Sequence, residues 1–155
     1  MAIRRERLAA RLVAETQQVN YAGAIISGLA VAIMFPLLWS QLALSKGYGL
    51  SVGATILGGI VGYAVTIGAG SKRGRALQQS SAILTILGIL LAHFLILLRT
   101  RQYAELGLPD FGSDILAAGY AFPSYLSSLT PWNGLFLVLG VIWAYWVPHV
   151  RTLRD

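Results

Sequence analysis

Residues 50–70 read LSVGATILGGIVGYAVTIGAG, a stretch without a charged side chain, and SKRGR follows at once over residues 71–75. An α-helix needs about 20 apolar residues to cross a hydrocarbon core of roughly 30 Å at about 1.5 Å per residue. The run Leu50–Ala69 has that length. A membrane-spanning β-strand would alternate in hydrophobicity over segments of about ten residues. This run is apolar on every side, so a helix is the reading. Its small residues are also periodic. Ala54, Gly58, Gly62, Thr66 and Gly70 recur every four positions, and Gly58 and Gly62 form a GxxxG pair. In lipid, apolar burial does not drive helices together, so association rests on close backbone approach and van der Waals contact. The face carrying Ala54, Gly58, Gly62 and Thr66 is therefore expected to pack on another helix.

Three further apolar runs surround this one: Tyr21–Leu44 before it, Ala82–Leu98 and Trp132–Pro148 after it. Ala24, Gly28 and Ala32 make a narrow row on the first run, which points to a tight hairpin between the first and second helices. Self-association or partner binding through the same face is the alternative. Of the 155 residues, 56% are hydrophobic and 12% charged, against roughly 25% charged in soluble domains. So few charges cannot cover a water-exposed surface, and lipid is the expected solvent. The net charge of +6 sits in short clusters between apolar runs. Such clusters set topology and touch anionic head groups; they do not suggest nucleic acid. The absence of cysteine excludes disulfides, thiolate metal sites, iron–sulfur clusters and cysteine nucleophiles.

The clusters also orient the chain. Arg4, Arg5, Arg7, Arg11, Lys72, Arg73, Arg75, Arg151 and Arg154 flank one side, and Lys46, Arg99 and Arg101 the other. The excess places both termini and the GSKRGR loop in the cytoplasm. The expected fold is thus all-α: a polytopic membrane protein with four transmembrane helices, N-in and C-in. Its expected parts are an amphipathic segment over residues 1–20, a four-helix domain over 21–148, and a cytoplasmic tail over 149–155. Ile3, Leu8, Leu12 and Val13 form a stripe among the first arginines, as in a helix lying in the interface plane. A solvated helix leading into the first span fits equally. The polar start is too long for a cleaved signal peptide, and the first span reads as a retained anchor. The outer connection, residues 99–131, is expected to fold back on the membrane surface. Ser113–Ala121 and Ser124–Leu129 read as short helical turns broken by Pro109 and Pro123. Thr130 and Pro131 then open the last helix as N-cap and first helical residue.

His93 is the one ionisable side chain deep in any run. An intramembrane ionisable group is a functional candidate by default, and a neutral imidazole could ligate haem iron or chlorophyll magnesium, or relay a proton. The second histidine, His149, lies at the opposite end of the bundle, which disfavours a two-histidine haem. The preferred reading is a neutral histidine bonded to a neighbouring hydroxyl or carbonyl. Trp39 and Trp132 at the outer end and Trp146 at the inner end read as interfacial anchors, with Trp143 one turn deeper. Lys72, Arg73 and Arg75 read as contacts to anionic lipid. No Asp, Glu, Lys or Arg falls inside the four runs, and no HExxH, GxSxG or Walker-type loop occurs.

The stretch GGIVGYAVTIGAGSKRGRALQQSSAILTILGILLAHFL and the ending PWNGLFLVLGVIWAYWVP resemble uncharacterised small bacterial four-helix inner-membrane proteins. In those a glycine-rich helix ends in a Gly/Arg loop, and the next helix opens with a Leu-Gln pair, here Leu77-Gln78. Some carry an added cytoplasmic metal-ribbon domain, for which this chain offers no residues. The resemblance implies a bacterial inner-membrane location and supplies no catalytic residue. The functional expectation is a non-catalytic accessory or scaffold subunit of a larger bacterial membrane complex, with no cofactor or metal. Its expected partners are the bilayer, anionic head groups, and other membrane proteins or a second copy. A pigment- or haem-binding subunit using His93, and a small oligomeric channel or transporter, are the alternatives.

Overall fold

The computed structural model describes residues 19–46, 50–104, 111–127 and 130–149. Among them the chain is all-α: α1 (Tyr21–Lys46), α2 (Leu50–Gly68), α3 (Arg75–Ala104), α4 (Phe111–Ser127) and α5 (Pro131–Trp146). The expected amphipathic segment before Val19, the tail after His149, and the arginines in both lie outside the described residues.

Local chemistry sets the helix ends. Asn20 caps α1, its Oδ1 accepting from the Gly23 amide at 2.8 Å. The α2 terminus is a Schellman turn: the Ser71 amide donates to Thr66 O at 2.9 Å and the Gly70 amide to Ile67 O at 2.8 Å. The turn needs a left-handed residue, and Gly70 supplies it at φ +75°. Gly70 is thus a cap and not the fifth member of a packing row; a side chain there would meet nothing within 4 Å. Thr130 and Pro131 do open α5, with Thr130 extended at ψ 153°, although its hydroxyl makes no cap bond.

α2 and α3 form the inner pair, each touching the other and both α1 and α5; α1 and α5 do not meet among the described residues. Contact order gives the directions. Gly23 meets Gly68 and Trp39 meets Gly53, so α1 and α2 are antiparallel. Gly58 meets Gly140 and Gly62 meets Ala144, so α2 and α5 are parallel. Gln78 reaches His149 and Ser81 reaches Ala144, so α3 and α5 are antiparallel. Helices α1, α2, α3 and α5 therefore run up, down, up and down.

Two of them, over Tyr21–Ala43 and Arg75–Thr100, are long and apolar enough to cross a bilayer. α2 has 19 residues and α5 has 16, spans of about 28 and 24 Å. The sequence predicts four spans; among the described residues two helices, α1 and α3, have the length and apolarity of one.

Several expectations change. α3 begins seven residues before Ala82 and continues through the arginines that were assigned to the outer connection. Pro123 does not divide α4, which is one helix of 17 residues. Pro123 and Gly119 are both exposed, so the carbonyl that loses its N–H partner is not buried. Among the described residues α4 packs on α3 alone, with Phe122 edge-to-face on Phe94 at 5.7 Å. Phe94 lies ten residues short of the α3 terminus, so α4 folds back along α3 by about 15 Å.

Candidate functional site

The expected hairpin of α1 with α2 forms, but the small-residue face of α2 packs on α5 rather than on the α1 row. A Cβ at Gly58 would strike the Gly140 backbone, and one at Gly62 would stand 2.9 Å from Val147 Cβ and 3.1 Å from Ala144 O. Gly140 in turn packs on the Ala54 backbone. Thr66 is buried, with its hydroxyl donating to Gly62 O at 2.8 Å within the helix. Periodicity reveals that a face is flat but not which helix covers it. The α1 row turns instead to the α2–α3 seam: a Cβ at Gly28 would stand 2.6 Å from Val65 Cγ2 and 2.7 Å from Leu84 Cδ1. α1 and α2 meet lower down, at Gly23, Ser27 and Gly68. Pro36 leaves the Ala32 carbonyl without its helical donor, and α3 presents Gly88 to that oxygen.

Hydroxyls tie the helices together. Ser27 Oγ lies 2.8 Å from Ala64 O of α2, and Thr55 donates to Phe136 O of α5 at 3.3 Å. Ser81 of α3 donates to Ala144 O at 2.5 Å. That last bond has a sequence cause. The usual donor to Ala144 O is the amide four residues on, and that residue is Pro148, which has none. Ser81, fully buried, replaces it.

Beside this bond the basic loop closes on the end of α5. The Gly74 amide donates to Pro148 O at 3.2 Å and Arg73 Nη1 to His149 O at 3.3 Å. Gln78 Nε2 lies 2.7 Å from His149 Nδ1. An amide NH₂ can only donate, so Nδ1 accepts and the neutral ring carries its proton on Nε2. Trp146 stacks on the imidazole at 6.3 Å. Arg73, His149, Trp146, Ile142, Trp143 and Val147 line an open cleft of about 620 Å³. Lys72, half-buried, and Arg75, exposed, flank Arg73 in sequence without lining the cleft. No acidic residue occurs between Thr16 and Ala104, so the described part of this end carries uncompensated positive charge.

His93 is buried among Phe35, Trp39, Gly53, Ala54, Leu57 and Ile89, beside a space of about 10 Å³. That is the volume of roughly one water, and far short of a porphyrin or chlorin. Trp39, read as an interfacial anchor, is instead a packing residue: it stacks on Phe35 at 5.7 Å and lies against Gly53. Its Nε1 is buried without a hydrogen-bond partner among the described residues. Trp132, Trp143 and Trp146 are exposed.

Fold and site together define an all-α bundle with an apolar exterior, hydroxyl ties inside, and one basic end. No family model, curated protein or solved structure matches this chain.

Proposed function

We propose that the chain is a four-span protein of the bacterial inner membrane, with both ends cytoplasmic, serving as a non-catalytic accessory or scaffold subunit. The use of polar side chains inside the bundle carries this reading. Ser27, Thr55 and Ser81 each reach the backbone of a neighbouring helix, so interior polarity serves cohesion.

Helix direction and charge support this topology. The start of α1, the turn carrying Lys72, Arg73 and Arg75, and the end of α5 share one end of the bundle. The positive-inside rule favours that end as cytoplasmic. The shorter α2 and α5 lie side by side, so the bilayer has to thin along one seam only. The exterior displays Ile26, Leu38, Tyr63, Leu87, Leu116 and Tyr120, a surface that suits lipid and the helices of another membrane protein.

Photo-crosslinking residues placed at Ile26, Leu38 and Tyr120 in native membranes test the assignment. A discrete protein adduct from at least one position is expected. Adducts to lipid alone at all three positions would sink the subunit reading.

A further inference from the structure

The cleft beside α5 extends beyond what a scaffold needs. Ile142 and Trp146 lie one turn apart at the end of α5, with Trp143 and Val147 alongside, and His149 follows three residues beyond the helix. The cleft is therefore apolar and aromatic along α5 and becomes a hydrogen-bonding, cationic edge at Arg73 and His149. A guanidinium carries five N–H donors, and one bond, to His149 O, is made among the described residues. The Gln78 contact leaves Nε2–H as the donor of the His149 ring, and the Trp146 stack holds that ring in place.

The geometry points to a bound anionic phospholipid of the cytoplasmic leaflet. Its phosphodiester lies against Arg73 and His149, and one acyl chain runs along Ile142, Trp143 and Val147. A planar fork of donors matches two phosphate oxygens at once, and positive charge without an acidic neighbour among the described residues selects an anionic head group over a zwitterionic one. A free phosphate would leave the apolar wall uncovered. The inference rests on the membrane reading above and adds a discrete site to it.

The test uses the full chain in phosphatidylcholine vesicles doped with brominated phosphatidylglycerol or brominated phosphatidylcholine, read by tryptophan quenching. The anionic lipid is expected to reach half-quenching at about fivefold lower mole fraction, the scale of one basic side chain at a membrane surface. Arg73→Ala should bring the two curves together. Lys72→Ala and Arg75→Ala remove the same charge without lining the cleft, and should keep most of the separation. Trp143→Phe, which removes the reporter beside the chain, should shrink it.

Equal quenching of the unaltered protein by both lipids overturns the site while membrane insertion stands. So does an equal loss in the Lys72→Ala and Arg73→Ala proteins, which marks diffuse surface attraction. Absence of quenching by either lipid overturns the membrane reading and the site with it. The comparison on the unaltered protein decides the matter even where a variant does not fold.

Discussion

Gly58 and Gly140 meet where α2 crosses α5: the Gly140 main chain fills the space in which a Gly58 side chain would lie, and the Ala54 main chain fills that of Gly140. Rigid main chain cannot give way as a flexible side chain can. Gly58→Ala should therefore destabilise the bundle by about 1–3 kcal/mol, read as a lower midpoint of unfolding in mixed micelles. Gly134→Ala is the control: nothing lies within 4 Å of its Cβ position. It should be neutral or raise stability by up to about 1 kcal/mol. Equal effects at the two positions would contradict the assigned crossing.

Gly53 and Trp39 form a second close pair, between side chain and backbone. A Cβ at Gly53 would run into the indole ring. Gly53→Ala alone should cost about 1–3 kcal/mol. In a Trp39→Phe background the cost should fall, with a coupling of at least about 0.5 kcal/mol in a double-mutant cycle. Additive losses would mean that the two residues do not touch.

Ser81 and Pro148 are linked through a single carbonyl. Ser81→Ala leaves buried Ala144 O with no donor, a loss of about 1–3 kcal/mol. Pro148→Ala restores the missing main-chain N–H, so the double variant should recover part of that loss. Ser80→Ala should be nearly silent, since its hydroxyl bonds Ala76 O in its own helix. Failure of Pro148→Ala to rescue would show that the hydroxyl does not complete the helix.

Topology can be read cleanly because the chain has no cysteine. Ser71→Cys in intact cells should resist a membrane-impermeant maleimide and react after permeabilisation. Gly134→Cys should react at once. The reverse pattern inverts the orientation, and immediate labelling of both removes the four-span arrangement.

The helices were legible in the sequence where hydrophobicity marks their limits. The first two runs end within two residues of α1 and α2, because polar loops interrupt the apolar pattern there. α3 was read too short at both ends. Its first two turns, RALQQSS, are polar, and they are helical through packing on the end of α5, which hydropathy does not register. Pro123 carried a strong breaker signal that an exposed helix face tolerates. The flat face of α2 was visible as a period of four, but its match, Gly140, is a lone glycine in an aromatic-rich helix. His149 was noted only for its depth. Its bond to Gln78 joins residues 71 apart, and neither residue announces the other. Ser81 had a readable cue: a proline just past the end of α5 implies a carbonyl in need of a donor elsewhere.

The position of α5 also has a consequence in time. Its docking face on α2 is made roughly eighty residues before Gly140 is, an interval of about 4–16 s during synthesis. For those seconds Gly58 and Gly62 lie bare, although α1, α2 and α3 can already assemble without α5. Until α5 is made, the nascent protein holds α1 to α4 beside an empty groove. Its last helix arrives as a latch, fastened by Ser81 on Ala144 and by Gly74 on Pro148.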